Sequence, residues 1–141
     1  MRVRCEKMQW GYVGKHRVGI DDDVFVCIND GSVSLPEMMA INDQIRDAAK
    51  TLRVRFVLLD LSHSEAPSPE ARKYMSKNPY VGIEAVAGYG ASRTLRVLSD
   101  LMRKAMALLG SAQGRAEFRL FTTEAEARLF LQSLRTKPLK P

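Results

Sequence analysis

Asp60, Ser62, His63 and Ser64 place a carboxylate, hydroxyls and an imidazole within five positions, the side-chain types of acyl-transfer catalysis. A Ser-His-Asp catalyst needs those groups to converge from separate elements. Neighbours on an extended strand point to alternate faces, and no G-x-S-x-G elbow exposes a serine. His63 therefore reads as an exposed or hydrogen-bonded loop residue just past a strand. His16, far away in the chain, reads as part of a hairpin, so the two histidines make no ligand pair. Asp21-Asp22-Asp23 carries charge enough for a divalent cation but lacks the spacing and terminal Glu of a calcium loop, and reads as a solvated turn. Cys5 and Cys27 stand 22 positions apart in no C-x-x-C pair. That spacing argues against zinc, thioredoxin-type redox chemistry or a disulfide framework, and points to a reducing cytosol. Cys27, inside an apolar run, reads as inert core.

Two stretches carry more. Gly88-x-Gly90-x-x-Arg93 has the outline of a dinucleotide fingerprint, but Arg93 replaces the third glycine and no acidic residue follows at the required distance. What survives is a glycine turn entering a helix, where Ser92 and Arg93 would face an anion; the plainer reading, which we favour, is a tight turn with Ser92 as N-cap. In Leu61-Ser62-His63-Ser64-Glu65-Ala66-Pro67-Ser68-Pro69, Ser68 is placed to cap a helix and the prolines stiffen its entry. The same short helix would form a partner-facing surface, to which a phosphate on Ser68 would add about two negative charges.

The elements that must position these residues follow from periodicity. Val24–Ile28 is a short apolar run closed by the turn residues Asn29-Asp30-Gly31, a buried strand. From Leu35 to Leu52, Met38, Ile41, Ile45, Ala48, Ala49 and Leu52 recur at three or four, with Ser34 as N-cap and Pro36 in the first turn, an amphipathic helix. Phe56–Leu61, broken only by Asp60, is a central strand covered on both faces. Ser68-Pro69-Glu70 starts a helix reaching about Ser76. Ile83–Tyr89 is a third strand, leading into the longest helix, from Arg93 to about Leu109. Its inward face is expected to be Leu95, Leu98, Leu101, Met102, Ala105, Leu108 and Leu109, and Gly110 and Gly114 close it. Glu117–Phe121 is a fourth strand, and Thr123 caps a last helix with Ala127, Phe130, Leu131 and Leu134 inward. Lys15–Ile20 and the acidic turn suggest an N-terminal hairpin with Val24.

Strands alternating with helices imply a single α/β domain, with a mostly parallel central sheet, an N-terminal hairpin at its edge and about four helices. Parallel strands would bring the loops at 29–35, 62–68, 88–92 and 122 to one edge of the sheet, where open α/β sheets bind ligands and partners. We divide the chain into residues 1–14 as an N-terminal segment and edge strand, 15–134 as the domain, and 135–141 as a basic tail.

Composition fits that frame. The chain has 141 residues, 45% of them hydrophobic and 27% charged, enough to bury a core without a disulfide or metal. The net charge of +6 sits at the ends: residues 1–17 carry five Lys/Arg against one Glu, and residues 135–141 three against none. Between them 14 basic face 15 acidic side chains, so the body is nearly neutral and offers no phosphate-tracking face; nucleic acid is not an expected partner. No apolar run approaches the roughly 18 residues of a membrane span and the start leads into no signal region, so a soluble, unprocessed, cytoplasmic protein is expected.

The strand Val57-Leu58-Leu59-Asp60-Leu61-Ser62, a loop, and a serine at a helix start resemble the STAS domain, the sulfate-transporter and anti-sigma-factor-antagonist fold. In that family an Asp-Leu-Ser strand end precedes a loop with Asp-Ser-Ser-Gly, whose first serine is phosphorylated by a partner kinase. Ser68 falls close to that serine's place; Pro67 stands for the family's Asp, and Pro69-Glu70 for Ser-Gly. The chain is more similar to the bacterial SpoIIAA-like group, described as related to both STAS and CRAL-TRIO lipid-binding domains. That likeness runs through Gly14-Lys15-His16, Gly31-Ser32-Val33-Ser34, Leu59-Asp60-Leu61-Ser62, Ser68-Pro69-Glu70-Ala71-Arg72, the 87–92 turn and Phe121-Thr122-Thr123-Glu124-Ala125-Glu126-Ala127.

The resemblance implies a non-enzymatic interaction or regulatory module, phospho-regulated at Ser68. Its binding residues for a protein partner, or for a second copy in a homodimer, would be Asp60, Ser62, Ser68, Tyr74, Gly90, Ser92 and Arg93. No catalytic residue, metal or cofactor is expected. The alternative is a carrier for a small apolar ligand or lipid, with Met38, Met39, Met75, Met102 and Met106 lining an adaptable cavity.

Overall fold

The computed structural model describes residues 10–108 and 116–135, and, within the longest helix, the backbone alone of Met102 and of 105–108. Strands β1 (Trp10–Val13), β2 (His16–Asp21) and β3 (Val24–Gly31) form an antiparallel meander. Strands β4 (Phe56–Ser64), β5 (Ala85–Tyr89) and β6 (Glu117–Phe121) continue the sheet parallel to β3, giving six strands in sequence order. The sheet is thus mostly parallel, with the hairpin strands at one edge.

Helices α1 (Leu35–Thr51), α2 (Pro69–Lys77), α3 (Arg93–Leu108) and α4 (Glu124–Arg135) follow β3, β4, β5 and β6. Because each parallel strand is laid beside the previous one by a right-handed crossover, α1, α2 and α3 fall on the same face. There Ile41, Ile45 and Ala48 of α1 pack on Val18, Phe25, Cys27, Val57 and Val86. Met38 and Ala71 join α1 to α2. α4 covers the opposite face, setting Ala127 and Leu131 on Val24, Val26, Phe56, Leu58, Ala85 and Ala87. Phe56, Ile45 and Leu58 are wholly buried, so truncating Phe56 to Ala would cost about 3–5 kcal/mol.

Several boundaries differ from the sequence reading. Asn29-Asp30-Gly31 is not a closing turn: β3 runs through Gly31 and β4 through Ser64, with Asp30 opposite His63 after a register irregularity. A bulge lets polar residues extend a strand past its apolar stretch. His63 is therefore an exposed strand residue, not a loop residue. The third strand starts at Ala85, two residues later than its apolar run. On α3, Leu95 is buried but Leu101 is 59% exposed, so the expected inward stripe is narrower than the sequence suggested. Met102, Ala105, Leu108 and Leu109 of that stripe, the closing Gly110 and Gly114, Cys5 and the tail beyond Arg135 lie outside the described side chains.

The acidic turn is not solvated as expected. Asp21 is buried and accepts from Arg128 Nη1 at 3.2 Å. Asp23 takes two bonds from Arg135, at 2.9 and 2.6 Å. The planar guanidinium fork thereby ties the end of α4 to the β2–β3 turn.

Candidate functional site

The four parallel strands end at one rim, and each hands the chain to a helix whose N3 N–H is met by a hydroxyl. Ser34 Oγ accepts from Glu37 N at 3.3 Å, and Ser68 Oγ from Ala71 N at 3.1 Å. Ser92 Oγ accepts from Leu95 N and Thr123 Oγ1 from Glu126 N, both at 3.2 Å. Serine and threonine hold these positions because their short side chains reach N3 without helical dihedrals of their own.

Asp60, Ser62, Gly90 and Ser92 come together at the centre of this rim. Asp60 pairs in register with Tyr89, and its Oδ1 accepts from Ser62 N at 3.0 Å. Gly90 has φ +78°, and a Cβ there would lie 2.5 Å from Ser62 Oγ, so only glycine lets β5 leave the sheet this close to Ser62. Burial, with the Asp60 carboxylate beside it, raises the Tyr89 phenol above its ordinary range. Ser92 and Arg93 are exposed on the first turn of α3. Ser68 sits one loop away, its N–H donating to Val33 O at 3.0 Å. Tyr74 is set apart from the group. It packs half-buried on Val33, Met38 and Ala71, and its hydroxyl accepts from Asn42 Nδ2 at 3.4 Å, so it braces α2 on α1. Gly88 serves a different purpose from the turn glycine assumed from sequence: it lies within β5, where a Cβ would meet Leu61 and Leu120.

Two features of the rim had little signal in the sequence. Arg96, one turn into α3, donates to Ala91 O at 3.3 Å and to Phe121 O at 3.2 Å, fastening the β5–α3 loop to the end of β6. His16 is 1% exposed, and its Nδ1 accepts from Asp30 N at 3.0 Å, leaving Nε2–H to face Glu37 Oε1 at 3.2 Å. Glu37 Oε1 also accepts from Ser34 N at 3.0 Å, completing a reciprocal capping box. The sequence reading makes Ser34 the N-cap alone; the Ser34-x-x-Glu37 spacing is the signal that could have found the box, and nothing local points to His16. The Ser34 backbone bond, with His16 beside it, lowers the Glu37 carboxyl.

Behind the rim, between the sheet and α1, α2 and α3, lies a cavity of about 90 Å³. Met38, Leu61, Pro67, Met75, Leu95 and Leu98 are among its walls, with Cys27 on its floor. Burial pushes the Cys27 thiol up to about 12, in keeping with an inert core cysteine. Met39 is 44% exposed and so does not belong to the expected methionine lining. Among the described residues no group of three or more His, Cys, Asp or Glu side chains is placed to hold a metal ion.

Comparison with solved structures bears on the fold. An uncharacterized protein from the DUF3478 family of Shewanella loihica PV-4, itself described as having a SpoIIAA-like fold, superposes with a TM-score of 0.54 at 12% identity, covering 88% of this chain and 91% of that one. The chain has a SpoIIAA-like fold. The anti-sigma factor antagonist SpoIIAA, in its unphosphorylated form, superposes with a TM-score of 0.52 at 13% identity, over 92% of this chain and 99% of that one. No protein-family profile and no curated protein sequence matches the chain. In this SpoIIAA-like fold Ser68 and Ser92 open the helices that follow the neighbouring strands β4 and β5. No described helix is long and apolar enough to cross a membrane.

Proposed function

We propose that the chain is a non-enzymatic, STAS-like interaction module that docks a protein partner on this rim, through residues 62–74 together with Ser92 and Arg93, and that phosphorylation of Ser68 regulates the contact. The observation that carries this reading is the convergence of four hydroxyl-capped helix starts on one edge of a SpoIIAA-like sheet. A solved protein of this fold is an anti-sigma factor antagonist described in its unphosphorylated form, which favours a regulatory role. Ser68 opens α2 as its N-cap, a position where a phosphate meets free N–H groups and the positive end of the helix dipole. Ser68→Asp keeps an acceptor at the cap and adds charge; Ser68→Ala removes the cap without charge. Native mass spectrometry of the chain isolated from its own cells should find a protein complex. Its fraction should fall at least tenfold in Ser68→Asp and in Arg93→Glu, with Ser68→Ala near wild type. Equal complex formation in all four proteins, or no complex, rejects the reading.

A second reading, a carrier of a small apolar ligand, is favoured by the cavity behind the rim. Its volume of about 90 Å³ is well below the ~300–1,000 Å³ of ordinary ligand pockets, so α3 would have to lift to admit a lipid. Co-purified lipid in organic extracts of the folded protein distinguishes this reading from the first.

A further inference from the structure

α4 packs over β4, β5, β6 and the start of β3 and reaches β2 through Arg128 at Asp21, so among the described residues the Tyr12–Arg17 part of β1 and β2 extends beyond it. Side chains on that part of the face follow from register. Tyr12 lies opposite Arg17, and Arg17 opposite Ile28, so the three share one face of the sheet. Trp10 stands on that face too, packed with Ile28 against the α4-side core. The Arg17 guanidinium carbon lies 4.4 Å from the centre of the Trp10 ring. Tyr12 beside it is 68% exposed.

Arg17 is the anomaly here. Its Nε atom is buried and has no hydrogen-bond partner among the described residues. Its cross-strand neighbours Tyr12 and Ile28 bring no acid, and stacking on Trp10 satisfies the ring's face but not the N–H. A buried donor without an acceptor costs stability, and each such group in a native fold calls for an explanation, of which an acceptor supplied from outside the chain is one. The surroundings are of the type that dominates protein contacts: tryptophan, tyrosine and arginine, with an aliphatic side chain beside them. A carboxylate suits a guanidinium held flat on an indole, because the fork presents its donors in one plane.

We propose that the part of the α4-side sheet face that no described helix covers, centred on Arg17 stacked on Trp10, docks a partner protein through an acidic side chain flanked by apolar ones. This surface lies on β1, β2 and Ile28 of β3, in register beside Asp60 at the rim's edge, but it uses neither Ser68 nor the helix starts, and the inference does not depend on phosphorylation of Ser68. The partner's carboxylate accepts from Arg17 while its apolar neighbours cover Tyr12 and Ile28.

Trp10 is the single tryptophan, so its emission reports directly on this surface. The probe is a set of hexapeptides carrying one Asp or Glu flanked by Leu, Phe or Tyr, with the matching Asn and Gln peptides as controls. Members of the acidic set should shift Trp10 emission in the full chain and bind at least tenfold more tightly than their amide controls. Arg17→Gln should remove that preference, whereas Ser68→Asp, which tests the rim, should leave it unchanged. Arg17→Leu, which deletes the orphaned donor, should keep or raise Tm, by about 2–4 °C if the donor costs about 1 kcal/mol. The proposal is overturned if no acidic peptide moves the emission, if amide peptides bind as well, or if Arg17→Leu lowers Tm, which would mark Arg17 as structural. Concentration-dependent dimerisation lost in Arg17→Gln would overturn it in favour of a second copy of the chain.

Discussion

His16 Nε2 lies 3.2 Å from Glu37 Oε1, joining the N-terminal hairpin to the first turn of α1 across 21 residues. Around this pair Gly14 turns with φ +60°, a conformation with no room for a Cβ because the Glu37 carboxylate lies against it. One acidic side chain thus caps a helix, holds a buried imidazole and covers a turn.

Glu37→Ala is accordingly expected to lose about 2 kcal/mol, by removing half of the capping box and leaving the buried Nε2–H of His16 without an acceptor. Urea denaturation of the variant beside wild type measures it. A loss below about 0.5 kcal/mol would mean that the pair contributes nothing beyond an exposed contact.

The same carboxyl sets a pH dependence. Its folded value lies below the ordinary 4.5, so its stabilisation is complete above about pH 4.5 and is lost as pH falls through the lowered folded value. Glu37→Gln should therefore flatten the acid side of the stability curve below pH 4.5 while barely changing its slope above pH 6. Parallel slopes below pH 4.5 for the two proteins would count against this.

Gly90→Ala should destabilise by about 1–3 kcal/mol, because φ +78° is strained for alanine and the new Cβ would press on Ser62. Ser62→Gly combined with it should recover only part of the loss, since the backbone of Ser62 stands 3.2 Å from the same Cβ position. Full recovery would place the whole cost on the hydroxyl.

Cys27 should resist alkylation. Its thiol is 1% exposed, donates to Asn29 Oδ1 at 3.0 Å and is pushed up to about 12 by burial. In a Cys5→Ser background, iodoacetamide at pH 8 should modify it only as fast as the protein opens, with the rate rising in step with urea. A fast, urea-independent reaction would contradict the burial.

Asp23→Ala should free the end of α4, since it removes both bonds from Arg135. Amide exchange in Phe130–Arg135 should accelerate at least tenfold, with α1 unaffected. Unchanged exchange would show that Ala127, Leu131 and the Arg128–Asp21 bond hold the helix without Asp23.

Local information settled most of the fold. Apolar runs at Val24, Phe56 and Val86, the 3.6-residue stripe through Met38, Ile41 and Ile45, and the hydroxyls at Ser34, Ser68, Ser92 and Thr123 all report on contacts within a few residues, and these are the contacts propensity and capping encode. That four strands in parallel must bring their outgoing loops to one rim followed from the same alternation. What required the folded chain was every partnership across long separations. His16 finds Glu37, Asp21 and Asp23 find Arg128 and Arg135 more than 100 positions away, Arg96 fastens Phe121, and Arg17 stacks on Trp10 without an acceptor. A polar residue looks the same in the sequence whether it meets water or a buried partner. Which of the two it meets depends on strand register and on which face each helix covers, and those are properties of the assembled sheet.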